Sequence, residues 1–237
     1  MPITATAWWM QKSGNATSEY EDAFAIAPNG LRFAVADGAS ETSFAKQWAE
    51  QLVEAFVAEP PQLESFQDWL SPLQSTWQES QRGQATAWYA EQKARDGAFS
   101  SLLGLAVSEG RWQALASGDS CLFVVRAGKL LRAFPFERAE QFSNSPVLLS
   151  SRARANGLVL EQLKTAAGEL QVRDRILLMT DALAHWFLVE AEMGRRPWAA
   201  LGKLTTTEQL GGLVDCLRAG GALRNDDVTL VSLEVAA

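Results

Sequence analysis

The residues of this chain best suited to chemistry are carboxylates at the edges of apolar stretches. Asp37 closes LRFAVAD, Asp119 sits in ALASGDS, Asp181 follows RILLMT and Asp226 opens DDVTLVSLEV. Each stretch reads as a strand, and a carboxylate at a strand edge is poor packing material unless something neutralises it. One such aspartate is a turn residue. Four, joined by Glu21 and Asp22 in SEYEDAFAI, describe a cluster that calls for a cation. Oxygen-only ligands select hard ions such as Mg²⁺ or Mn²⁺. His185, the single histidine, stands beside Trp186 and Phe187 and reads as structural, so mechanisms that need two histidines are excluded.

The elements that must position these acids follow from periodicity and turn signals. Ile3 to Met10 reads as a strand. Ala23 to Ala27 and Leu31 to Ala36 flank Pro28-Asn29-Gly30 as a hairpin. After Ser40, apolar residues at Phe44, Trp48, Leu52, Ala55 and Phe56 mark one helix face, which Pro60-Pro61 ends. A second helical stretch covers about Ser65 to Arg95, with breaks at Pro72 and Gly83. A meander follows: Phe99 to Ser108, Trp112 to Ser117, Cys121 to Arg126 and Lys129 to Phe134. Phe136 to Gly157 is polar and irregular. Leu158 to Ala166 and Arg175 to Thr180 read as strands, Ala184 to Met193 and Thr207 to Ala219 as helices, and Val228 to Val235 as the last strand. Helices in two groups of two, around many strands, suit a sheet sandwich with a helical layer on each side.

Composition bounds the rest. The chain has 237 residues, 47% of them hydrophobic and 21% charged, enough for one sizeable core, and it reads as a single domain over 1–237. A net charge of -7 argues against nucleic acid or an anionic membrane as the main partner. Cys121 and Cys216 are too few for a cysteine metal site and read as reduced, buried thiols. No signal-peptide pattern or membrane-length apolar run is visible, so a cytoplasmic location is the default expectation.

The order SEYEDAFAI, AVADGAS, SGDS, LLMTDAL, NDDVTLV resembles the type 2C metal-dependent Ser/Thr protein phosphatases, in their bacterial form, over residues 14 to about 235. The bacterial pattern opens G-x-x-R-x-x-N-E-D, and Gly14, Glu21 and Asp22 fall at its offsets. The resemblance implies an α+β fold, a four-layer αββα sandwich of two mainly antiparallel sheets flanked by helix pairs. It implies two Mg²⁺ or Mn²⁺ ions and a third, weaker one. Asp37 would bridge two ions, with the Gly38 carbonyl completing one of them. Asp181 and Asp226 would bind the other, and Asp119 with Asp181 the third. Glu21 and Asp22 would act near the metals, largely through water. A water shared by two cations becomes available as hydroxide and attacks phosphorus in line. A phosphoprotein substrate and a partner Ser/Thr kinase are implied as well.

The departures lie on the substrate side. The phosphate-gripping Arg of the pattern is Thr17, the substrate-binding position here, and the Asn before Glu-Asp is Tyr20. Met-Gly-Gly after Asp-Gly is Ala39-Ser40-Glu41, the Arg after GDS is Cys121, and Ala182 follows Asp181 in place of Gly. The Asn of the last Asp-Asn pair is Asp227. Losing a charged contact to phosphate costs about 1.5–3 kcal/mol. Lys12, Arg152 and Arg154 are the substitutes the sequence offers. Three readings follow: an active metal-dependent phosphatase, a catalytically weakened domain with a regulatory or phospho-binding role, and an unrelated α/β protein whose aspartates are turn residues.

Overall fold

The computed structural model describes residues 1–39, 44–81, 97–143 and 145–236. Two five-stranded antiparallel sheets face each other. The first holds β1 (Ile3–Met10), β12 (Val228–Val235), β11 (Arg175–Met179), β7 (Cys121–Arg126) and β8 (Lys129–Phe134), in that order. The second holds β10 (Lys164–Glu169), β6 (Arg111–Ser117), β5 (Leu102–Ser108), β3 (Arg32–Ala36) and β2 (Ala23–Ile26). A short pair, β4 (Phe99–Ser100) with β9 (Leu149–Ser150), lies apart from both.

Side chains alternate across a strand, and here both faces are covered. On β11, Ile176 and Leu178 point between the sheets, while Leu177 and Met179 point to the outer helices. On β7, Leu122 and Val124 go inward and Cys121 and Phe123 outward. On β3, Phe33 and Val35 join the inter-sheet core, while Ala34 and Ala36 meet the helices of the other side. The result is a four-layer sandwich with three apolar seams.

Two helices cover the second sheet: α1 (Ala45–Ala58), with its buried stripe of Trp48, Leu52 and Phe56, and α2 (Phe66–Gln81). Gly104 on β5 leaves the space that the Phe56 ring fills, and a Cβ there would collide with it. The helix α2 runs through Pro72 without breaking; the expected continuation past Gln81, with Gly83, falls outside the described residues, as does Ser40. On the other side lie α4 (Asp181–Glu192), α5 (Pro197–Leu201) and α6 (Thr207–Ala219).

Four expectations need correction. Cys121 is buried as expected, but Cys216 is exposed, because it lies off the buried face of α6, which carries Leu210 and Val214. Leu158 to Ala166 is not one strand: α3 (Gly157–Gln162) precedes β10, with Val159 buried among α1 and α2 side chains. An apolar run this short suits either period until packing decides. Phe99 to Ser108 is divided at Ser101 into β4 and β5, because β4 leaves the main sheet to pair with β9. The helix expected from Ala184 begins three residues earlier, which puts Asp181 in its first turn.

Candidate active site

Strand register gathers the acids. Ala23, first in β2, faces Ala36, last in β3. Met179, last in β11, faces Cys121 and Leu230 near the starts of β7 and β12. Asp22, Asp37, Asp119, Asp181 and Asp226 each lie within two residues of one of these strand ends. The two sheets share that end because Asp22, from the second sheet, accepts hydrogen bonds from Thr180 (2.8 Å) and Thr229 (2.6 Å) of the first.

Asp22 is 2% exposed. Thr229 gives its one hydroxyl proton to Asp22, so Tyr20 donates to Thr229 at 2.5 Å. Burial pushes the Asp22 carboxyl well above the usual range; Asp227 and Asp181 add to this, and the two threonine bonds oppose it. Tyr20, where the pattern has Asn, therefore closes a buried polar chain. Asp227, the other departure, accepts the backbone N–H groups of Lys12 and Glu21, each at 2.7 Å. Its two oxygens fasten the segment before β2 to the start of β12.

Asp37 is set by serines. Its N–H donates to Ser101 Oγ (2.9 Å), which is bonded in turn to Ser120 Oγ (2.7 Å), beside Asp119. Its carbonyl accepts from the N–H of Ser101 and from Ser100 Oγ, both at 2.9 Å. Next to it, a Cβ on Gly38 would lie 2.8 Å from the Glu21 carbonyl oxygen, so only glycine lets these two backbones approach. The Asp37 side chain keeps some exposed surface, yet the surrounding protein, then the charges of Asp22, Asp181, Asp119 and Asp226, push its carboxyl well up. The same forces, burial first and then Asp181, raise Asp119 to about 7, with Arg224 opposing.

Arg224 is the member of this cluster that the sequence did not reveal. Its guanidinium pairs with Asp181 and, at 3.2 Å, with Asp226. Asp181 is still raised, by burial above all, with Arg224 holding it down and Asp226 pushing up. Asp181 also accepts its neighbour's N–H, from Ala182 (2.6 Å). The only sequence signal was a basic residue next to an acidic motif, and nothing in that spacing says which way it points.

Thr17 lies on an exposed single turn, Thr17–Glu19, just before Tyr20. Glu21 is half-buried. His185, read as structural, is exposed, edge-on to Phe142, and lines a cavity with Asp181 and Arg224. Among the described residues, no three acidic side chains close on one point as bound ligands would. The donor set fits hard divalent ions: carboxylates from both sheets, raised first by burial and then by one another's charge, gathered at one end of the sandwich.

The family model for protein phosphatase 2C matches residues 16–215. The chain belongs to this family. Solved structures of the family share its fold. The serine/threonine phosphatase PstP of Mycobacterium tuberculosis superposes with a TM-score of 0.69 at 17% identity, covering 99% of each chain. A PstP catalytic domain in complex with two manganese ions gives 0.65 at 16% identity, again with 99% of each chain covered. A Staphylococcus aureus serine/threonine phosphatase gives 0.65 at 14%, over 100% of this chain and 96% of the other. No curated protein sequence matches. Membership of the 2C family accounts for the layer order. Among the described residues, no helix is long and apolar enough to cross a membrane.

Proposed function

We propose that this chain is a Mg²⁺- or Mn²⁺-dependent phosphatase of phosphoserine and phosphothreonine proteins, acting as one unit over residues 1–237. The observation that carries the reading is the set of aspartates that both sheets bring to one end of the sandwich, raised by burial and then by one another's charge. Asp37 and the Gly38 carbonyl would hold one ion, Asp37 with Asp181 and Asp226 the second, and Asp119 with Asp181 a weaker third. When bound, such ions make a water acidic enough to attack phosphorus near neutral pH and offset the charge on the phosphoryl oxygens. The chain's own part is placement. Ser101 and Ser120 fix Asp37 relative to Asp119. Asp227 fixes Glu21, and Thr180 with Thr229 fixes Asp22. Preset donors cost no reorganisation when charge develops.

The substrate is a phosphoprotein, in the cytoplasm, whose phosphate comes from a partner Ser/Thr kinase. The replacement of Arg by Thr at position 17 favours a second reading, a weakened member that binds phosphoprotein without efficient turnover. Hydrolysis of p-nitrophenyl phosphate and of a phosphothreonine peptide, with Mn²⁺ or with EDTA, separates the two. Manganese-dependent turnover that disappears in a folded Asp37→Asn protein is the expected result. Equal turnover in Asp37→Asn would remove Asp37 from the mechanism, and no turnover in the parent protein would leave the second reading.

A further inference from the structure

We infer that Arg224 is the phosphate-gripping residue of this chain, supplying from the loop before β12 the cation that position 17 lacks. The inference rests on the phosphatase reading above. Thr17 offers no charge, and it stands on an exposed turn. Arg224 has charge, placement and freedom. Its guanidinium lies against Asp181 and Asp226, within the carboxylate cluster, while its side chain is 54% exposed.

The backbone that presents it is fixed. Ala222 and Leu223 donate to the Leu217 carbonyl at 2.9 and 3.2 Å, Leu223 is buried, and the Arg224 carbonyl accepts from Asp226 N–H at 3.1 Å. The side chain forms one wall of a cavity of about 390 Å³, whose other walls include Phe142, Ser143 and His185. That cavity opens beside Asp181, where a phosphoryl group has room to enter.

The two roles of the guanidinium exclude each other. Without ions it neutralises Asp181 and Asp226. Once those carboxylates serve divalent ions, a guanidinium beside them meets like charge, and the nearest anion left for it is a phosphate at the cavity mouth. A planar fork suits two phosphate oxygens at once. Arg224 thus opposes metal binding and favours phosphate binding, and one substitution should move the two in opposite directions.

Arg224→Gln tests this, with Arg224→Lys as the variant that keeps charge without the fork. Calorimetric titration of Mn²⁺ should show binding about three- to tenfold tighter in Arg224→Gln, the order of two partly exposed ion pairs lost from the competition. The KM for a phosphothreonine peptide and the inhibition constant of inorganic phosphate should both rise about tenfold or more, as expected for a lost charged contact. Arg224→Lys should lie between, and Thr17→Arg in the Arg224→Gln background should restore part of the loss. Unchanged KM and unchanged phosphate inhibition in an Arg224→Gln enzyme that still turns over would overturn the inference and leave the phosphatase reading intact. Weaker Mn²⁺ binding in that variant would overturn it too, since a merely structural Arg predicts that result. If the parent protein proves inactive, titration of inorganic phosphate into the Mn²⁺-loaded protein gives the same comparison without turnover.

Discussion

Asp119→Asn should stabilise this protein when divalent ions are absent, and the gain should depend on pH. In the fold, burial and then Asp181 raise the Asp119 carboxyl to about 7. In the unfolded chain an aspartate titrates near about 3.9. Between about pH 4 and 7 the folded state therefore holds more protons than the unfolded state, and stability falls as pH rises through that window. A rise of this size corresponds to about 4 kcal/mol at pH 8. Because Asp119 shares its charge interaction with Asp181, the usable figure is roughly 2–4 kcal/mol. Asparagine keeps the shape and removes the charge. In a chain of this length, about 1 kcal/mol moves Tm by ~2–4 °C. Asp119→Asn in EDTA should thus raise Tm by roughly 5–10 °C at pH 8, by about a third of that at pH 5, and not at all below about pH 4. Thermal melts followed by circular dichroism give the numbers. Saturating Mn²⁺ should reverse the ranking, since the parent gains more from the ion than the variant does. A lower Tm for the variant in EDTA at pH 8, or a gain that ignores pH, would refute the picture of a cluster strained by its own charge.

Other substitutions probe the frame. Gly38→Ala should cost about 1–3 kcal/mol in urea unfolding and reduce turnover, because the new Cβ meets a backbone oxygen that cannot step aside; a neutral result would mean the two backbones separate easily. Asp174→Ala should cost about 3–5 kcal/mol while leaving KM unchanged at low temperature. Asp174 is fully buried, takes two bonds of 2.7 Å from Arg126 and one from Gln171 N–H, and lies at the opposite end of the strands. Thr17→Arg should lower the phosphopeptide KM several-fold, and by more once Arg224 is removed; no change in either background would show that the Thr17 turn does not reach the phosphate.

Much of this fold is written locally. Ile3–Met10, Cys121–Arg126, Lys129–Phe134 and Val228–Val235 have the bounds their periodicity predicts, since alternation and turn residues decide them. The acids were legible only as a set: one carboxylate closing an apolar run is a turn residue, whereas several in this order call for a common neutraliser. What eluded the sequence depends on distant contacts. The run around Val159 turned helical because it packs on α1 and α2, which its own residues do not encode. The partnership of Tyr20, Thr180 and Thr229 with Asp22 joins segments 158 to 209 residues apart. Arg224 gained its meaning only from the loop that returns it to Asp181. Lys12, one of the substitutes the sequence offered, has its backbone N–H engaged by Asp227.

The bonds to Asp22 have a consequence for how this protein could lose its activity. Asp37 is anchored by its backbone, so a change of its carboxylate leaves those hydrogen bonds in place. Asp22 is different: its carboxylate is the shared acceptor that joins Thr180 and Thr229 of one sheet to the entry of β2 in the other. Its loss would leave two buried hydroxyls without their acceptor and loosen the seam. If Asp37 holds the ions as proposed, a lineage drifting from enzyme toward inert scaffold would shed Asp37 early and keep Asp22 long after catalysis had gone. On that reading, an intact Glu-Asp pair in a descendant would testify to a folded protein, and the aspartate at the end of β3 to a working one.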